Sequence, residues 1–295
     1  MKIIVLLLAT LLAATNVVRA QDGTNQLGGE RAKLVKGFKY QSGEIDLGNS
    51  LAKLTVPKEF KFLGAKDTET MLVKVWHNPP SAKKPLGMLL PADTTGSNRW
   101  AVIIEYTEDG FVKDDDASKI NYDDLLKQMQ KGIAEGNEVR KEKGYPTVTL
   151  IGWAAPPHYD AATHKLYWAK QARFEGAEED TLNYCIRMLG RKGVLELNAI
   201  ADINQFEAID KQTPQILNMV DFKEGSRYAD FDPKSDKVAV YGIAALVAGG
   251  VLAKFGFFKL FWVGLLAAKK FVIIGVIAVV AFVKKMFNRS DKVVR

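Results

Sequence analysis

Gly152-Trp153-Ala154-Ala155-Pro156-Pro157-His158-Tyr159-Asp160, then Leu166-Tyr167-Trp168-Ala169, and finally Gly193-Val194-Leu195-Glu196-Leu197-Asn198-Ala199 mark out residues 147–201 as the centre of the chain. Apolar residues alternate at Leu182, Tyr184, Ile186 and Met188, and again at Leu195, Leu197 and Ala199. That period of two belongs to strands with one buried face. Residues 147–154, 166–175, 181–189 and 194–200 therefore read as strands. The acidic turn at 176–180 and the link Gly190-Arg191-Lys192-Gly193 are short enough to make consecutive strands antiparallel, a meander. Proline cannot donate to a ladder, so Pro156 and Pro157 are expected to leave the sheet, with residues 158–164 as a loop turning at 160–163.

Upstream, Tyr122, Leu125, Leu126, Met129 and Ile133 fall on one helical stripe, with charged residues on the other side. Asn121 is a good N-cap and Gly144 a good stop, so a helix over 122–143 is expected to pack on the sheet. Residues 100–106 form an apolar run of strand length, the pattern of a central strand covered on both faces. Residues 44–47, 52–56, 60–63 and 70–76 are further strand candidates, while 85–93 carries no decisive pattern. Downstream, Thr213-Pro214 reads as an N-cap followed by proline at the first helical position, which predicts a second helix ending before Gly225.

The ends differ from the middle. Residues 1–20 have Lys2, an apolar run over 3–14 and Val18-Arg19-Ala20 before Gln21, the pattern of a secretory signal peptide. Residues 21–42 show no apolar period and read as a flexible lead, 43–226 as an exported α+β domain, and 227–237 as a polar linker. Residues 238–258 are long and apolar enough for a transmembrane helix. Residues 259–283, split by Lys269 and Lys270, read as hydrophobic membrane-associated segments, and 284–295 as a basic tail. A single crossing leaves the lysines on the inner face beside anionic lipid; a second crossing would bury the lysine pair and export the basic tail.

Charge follows the same division. From Gln21 to Lys237 there are 30 basic and 33 acidic residues, a net −3, whereas the tail has nine basic residues against Asp291. The overall +7 therefore belongs to the tail and leader, and the slightly acidic domain lacks the dense basic face that nucleic acid requires. Cys185 is the sole cysteine, which excludes an intramolecular disulfide, and no nucleophile motif surrounds it.

Chemistry-bearing residues concentrate in one place. His158, Asp160 and His164 offer two imidazoles and a carboxylate, a donor set that zinc accepts, although their spacing matches no established site and structural use in a turn is the favoured reading. Trp153, Pro156, Pro157, Tyr159 and Trp168 add an aromatic and proline surface suited to binding. Asp114-Asp115-Asp116 lacks the spacing of a calcium loop and reads as a solvated acidic turn. No phosphate-cradling glycine loop or nucleophile elbow occurs, and no cofactor is expected.

The strings Gly152 through Asp160, Leu166-Tyr167-Trp168-Ala169, Leu182-Asn183-Tyr184, Arg187 through Leu195, Arg227-Tyr228-Ala229-Asp230-Phe231 and Val240 through Gly250 resemble a bacterial family of uncharacterised membrane-anchored proteins, domain of unknown function family 2167. The resemblance implies an exported domain followed by hydrophobic segments in a bacterial envelope, with no catalytic residues to transfer. The order of elements also looks like the photosystem-associated PsbP and Mog1 type of fold.

Together these observations predict an α+β domain, an antiparallel sheet with two packed helices followed by C-terminal transmembrane or hydrophobic helices. The expected setting is the bacterial inner membrane, with the domain in the periplasm and the C-terminus in the cytoplasm. The expected role is a non-enzymatic interaction or accessory module whose partners are the lipid bilayer and another envelope protein. The alternatives are a metal-dependent hydrolase-like enzyme using His158, Asp160 and His164, and a small transport or channel component built on the tail.

Overall fold

The computed structural model of the chain describes residues 25–93 and 100–248. The chain opens with helix α1 (Asn25–Lys36) and strands β1 (Tyr40–Gln41), β2 (Gly43–Leu47), β3 (Ala52–Val56) and β4 (Phe60–Gly64). Helix α2 (Ala65–Thr70) then runs into a π-helical turn over Met71–Val75, followed by β5 (Gly87–Pro91) and β6 (Ala101–Thr107). Helix α3 (Tyr122–Glu142) precedes the meander β7 (Val148–Asp160), β8 (Lys165–Phe174), β9 (Thr181–Leu189) and β10 (Val194–Asp202). Helix α4 (Phe206–Met219), β11 (Val220–Phe222) and the short α5 (Ile243–Ala248) complete it.

The strands form an eight-stranded antiparallel sheet, in the order β1-β4-β5-β6-β10-β9-β8-β7, and a three-stranded sheet, β11-β3-β2. Alternation decides which residues meet. Leu182, Tyr184, Ile186 and Met188 of β9, Leu195, Leu197 and Ala199 of β10, and Val102 and Ile104 of β6 share one face and pack on Leu54, Val56 and the α4 residues Ile209, Ile216 and Met219. That sandwich of two sheets and a helix is the main core. On the opposite face, Leu63, Met88, Leu90, Ala101, Ile103 and Ile200 pack beneath Leu34 and Val35 of α1 and Met71 and Val75 of the π-helical turn. At the other end of that face, Ile133 of α3 packs on Val148, Ala172 and Phe174.

Helix α3 spans nearly the expected residues because its signals are local: the Asn121 side chain accepts hydrogen bonds from the amides of Asp123 and Asp124, both 3.1 Å. β6 is the expected central strand, between β5 and β10. Four expectations fail for identifiable reasons. Residues 70–76 are helical rather than extended, since Met71, Leu72, Val75 and Trp76 all pack into one cluster, whereas a strand would send neighbouring residues to opposite faces. Helix α4 starts at Phe206, so Thr213 and Pro214 lie inside it. Thr213 Oγ1 donates to the Ile209 carbonyl at 3.0 Å, and the apolar stripe through Ile209, Ile216 and Met219 outweighs the hydrogen bond that proline removes. The lead contains α1, held by Leu34, Val35 and Phe38 against the second core.

The fourth failure concerns β7, which continues through Pro156 and Pro157 to Asp160. It is the last strand of its sheet, and its register with β8 shifts between Leu150 and Gly152, Trp153 and Ala155, and Ala155 and His158. An edge strand with bulges leaves some amides unused, so proline removes nothing from the ladder.

Among the described residues, no helix is long and apolar enough to cross a membrane. The expected signal peptide at 1–20, the hydrophobic segments at 259–283 and the basic tail at 284–295 lie outside the described residues, as does the expected transmembrane helix beyond Ala248. Of its first residues, Val238 forms a parallel bridge with Phe111, and helix begins only at Ile243.

The link between β9 and β10 closes against the end of β6, where a Cβ on Gly193 would stand 2.0 Å from the Thr107 carbonyl oxygen. Gly193→Ala is expected to lower stability by about 1–3 kcal/mol through overpacking. Gly152→Ala, with nothing within 4 Å of its added carbon, is expected to stay within about 0.5 kcal/mol of the parent. Urea denaturation midpoints check both, and equal effects would refute the close packing at Gly193.

Candidate functional site

Residues 158–164 form the tip of the β7–β8 hairpin, and its polar groups are engaged one by one. Asp160 closes the turn on itself: its Oδ1 accepts from the Ala162 amide at 2.9 Å and its Oδ2 from the Thr163 hydroxyl at 2.7 Å. Those bonds, Thr163's first, hold its carboxyl below the usual carboxylate range. His164, at a positive φ of 52°, turns its ring away from Asp160 to face Tyr159 and Asp114, with Nδ1 at 3.2 Å from the Tyr159 hydroxyl and 3.6 Å from Asp114 Oδ2. The Tyr159 hydroxyl donates to the same Asp114 oxygen at 2.6 Å. Burial and that bond push the Tyr159 phenol upward; Asp114, which burial alone would raise, is held below its usual value by the phenol.

His158 and Pro156 are exposed on the edge strand, and Pro157 is buried. Trp153 is half-buried, its Nε1 donating to the Tyr122 carbonyl at the start of α3 at 3.4 Å. Trp168 does not belong to this surface: it is buried further into the sheet, beneath the Arg187 guanidinium. Among the described residues, no group of three metal-binding side chains could share an ion. The structure therefore does not assemble His158, Asp160 and His164 into a metal site.

What the hairpin tip does hold is the chain that follows the domain. The His164 ring stacks on Tyr228 with centroids 4.0 Å apart, Tyr228 lies 4.4 Å from Phe111, and Phe111 stacks on Phe231 at 3.9 Å. Arg191 Nε and Nη2 donate to Asp236 at 2.6 and 3.2 Å, a bidentate pair. The Tyr241 hydroxyl donates to Asp109, and Asp116 accepts from the amides of Ile243 and Ala244. The stretch expected as a polar linker, with the first residues after it, is thus a strap fastened to the domain, and the acidic turn at 114–116 is one of its fasteners.

A second constellation lies on the sheet face between the cluster under α1 and the π-helical turn and the cluster under α3. Register places Glu105, Glu196 and Arg187 side by side on β6, β10 and β9, with Asn198 beside Cys185 and Trp168, and Asn183 beside Lys170. Arg187 is 3% exposed and donates to the Ile186 carbonyl, to Asn198 Oδ1 at 2.9 Å and to Glu196 Oε2 at 3.2 Å. Glu196 also accepts from Lys83 and, at 2.5 Å, from the Thr107 hydroxyl. Burial alone would raise its carboxyl, but Arg187 and Lys83 outweigh that and bring it down to about 2. Burial raises the neighbouring Glu105. The Cys185 thiol is buried and donates to Asn183 Oδ1 at 2.8 Å. Lys170 is 1% exposed, and desolvation pulls its ammonium downward.

With this geometry in view, comparison with known proteins places the chain. The sequence profile of the family described as "Protein of unknown function (DUF2167)" matches residues 39–280. The chain belongs to that family. The match spans the whole described DUF2167 fold from β1 to α5 and runs into the hydrophobic tail. No curated protein matches the sequence. Two solved structures are similar in fold. Cyanobacterial PsbP (CyanoP) from Synechocystis sp. PCC 6803 is 7% identical, with a TM-score of 0.36, covering 63% of this chain and 92% of that one. The Ran-binding protein Mog1p of Saccharomyces cerevisiae is 9% identical, with a TM-score of 0.33, covering 66% of this chain and 100% of that one.

The polar strip escapes a reading that looks for loops and short motifs, because its members are spread over four strands. A signal was nevertheless present: Lys170 shares its alternation with Leu166, Trp168, Ala172 and Phe174, so a lysine occupies a position in a buried row. Asn183, Cys185 and Arg187 form a similar polar row opposite the apolar one in β9.

Acid should release this cluster in a defined window. A carboxyl lowered in the folded state contributes stability that is complete above its unfolded value of 4.5 and lost as pH falls toward about 2. The parent protein should lose stability progressively over that range, and Glu196→Gln should show a flatter profile there. Because the substitution leaves the buried Arg187 without its paired carboxylate, it is expected to cost about 3–5 kcal/mol at neutral pH. Denaturation midpoints measured from pH 7 to 2 check this, and parallel profiles would refute it.

Proposed function

We propose that this DUF2167 protein is a non-enzymatic interaction module of the bacterial envelope, with its domain in the periplasm, its hydrophobic tail in the inner membrane and its C-terminus in the cytoplasm. The observation that carries the reading is the use made of the hairpin tip. Asp160, Tyr159 and His164 spend their polar atoms on the turn and the strap, while Pro156 and His158 stay exposed beside Ile151, which is 40% exposed on the same edge strand. A rigid edge whose bulges and prolines discourage further strand pairing suits side-chain recognition by another protein. The leader pattern, the apolar tail and its basic flank support the location.

Site-specific photocrosslinking in native membranes tests the surface. A crosslinker at Pro156 or His158 is expected to yield a discrete adduct with another envelope protein, and one at Lys131 on the solvent side of α3 is not. Equal labelling at all three positions would remove the edge strand as the docking site. Metal analysis addresses the alternative chemistry: tight stoichiometric zinc that disappears on His158→Ala would overturn the non-enzymatic reading. A reporter fused after Arg295 that is active only in the periplasm would overturn the single crossing.

A further inference from the structure

Trp168 and Lys170 stand two residues apart on β8 and project to the same face, each 1% exposed. Among the described residues, Trp168 Nε1 and Lys170 Nζ have no hydrogen-bond partner. Both are donors only, an indole N–H and an ammonium, so what they require is an acceptor. The neighbouring side-chain acceptors among the described residues bond elsewhere, Glu105 facing Lys83, and none reaches these two donors. Asn183 Oδ1 takes the Cys185 thiol, Asn198 Oδ1 takes Arg187, and Glu196 takes Arg187, Lys83 and Thr107.

Charge points the same way. Lys83, Lys170 and Arg187 face Glu105 and Glu196 in this strip, one cation more than the carboxylates, and the excess sits on the unpaired Lys170. An unpaired ammonium in such a place is destabilising by several kcal/mol unless it gives up its proton or gains a counter-ion. The indole is held from above: the Arg187 guanidinium lies over the Trp168 ring, 5.0 Å from its centroid, and is itself paired with Glu196.

We propose that this face of β8 and β9 binds a small oxyanion, a carboxylate or phosphate group whose oxygens accept from Lys170 Nζ and Trp168 Nε1. The site lies on the sheet rather than at the hairpin tip, so its fate is separate from that of the docking surface proposed above. Entry requires local opening, because both donors are buried, and binding and release are therefore slow compared with an open cleft.

The test uses the full chain purified in detergent, incubated to equilibrium with inorganic phosphate or with acetate, at an ionic strength matched by sodium chloride. The expected result is a saturable rise in thermal midpoint with at least one of the two anions; which one responds tells a phosphoryl from a carboxylate source. Lys170→Met is expected to abolish the anion-dependent rise while raising the midpoint without anion, since it removes an unpaired buried charge. Trp168→Phe keeps the ring and loses only the donor, so its apparent affinity should fall about tenfold. Absence of a saturable rise with either anion overturns the proposal. An undiminished rise in Lys170→Met does the same, because it marks general salting-out rather than binding. Should Lys170→Met fail to fold, an unchanged affinity in Trp168→Phe overturns it alone.

Discussion

The ion pair between Arg187 and Glu196 sits where the two apolar clusters of the outer sheet face give way to each other. Its partners come from adjacent central strands, β9 and β10, and register with β6 brings Glu105 alongside. Everything on that face is arranged around it. The cluster beneath α1 and the π-helical turn ends at Ile103 and Ile200, the cluster beneath α3 ends at Ala172, and the polar residues occupy the ground between. A pair this deeply placed adds little net stability over apolar residues of the same shape. What it does is fix neighbours: it orients the Trp168 ring through Arg187 and anchors Lys83 through Glu196.

The other face obeys simpler rules. The sandwich of β3, α4 and the central strands is apolar throughout, and its rows come straight from strand alternation. One face of the sheet thus supplies hydrophobic stability, and the other tolerates charge. That division places any ligand chemistry away from the main core.

Much of this was legible in the sequence wherever a signal is local. Asn121 with its acidic first turn marks α3, Gly190 and Gly193 mark the tightest hairpin, and the rows through Leu182 and Leu195 mark the core. The misreadings share a cause, because in each a local preference meets a tertiary requirement. Thr213-Pro214 has the composition of a helix start, yet the helix already needed Ile209 on the core. Residues 70–76 have strand-like content but bring the adjacent pairs Met71-Leu72 and Val75-Trp76 into one cluster, as a helix does. Pro156-Pro157 looked like a strand end because only the sheet order reveals that β7 is an edge. The candidate site was legible in part: the hairpin tip was found, but its polar residues bond to Asp114 and Tyr228, far away in sequence. Lys170 forms no local motif, since its surroundings are set by the register of neighbouring strands.

The strap from Arg227 to Tyr241 has a mechanical meaning. A domain joined to its tail by a loose linker feels little of what happens to that tail, because slack absorbs displacement. Here the Arg191–Asp236 pair grips the turn between β9 and β10, the ring stack grips the hairpin tip, and Asp116 grips the first amides of α5. The strap therefore has little slack between residue 227 and the start of α5: it is tied at three separate points, to the turn between β9 and β10, to the hairpin tip and to the acidic turn at 114–116.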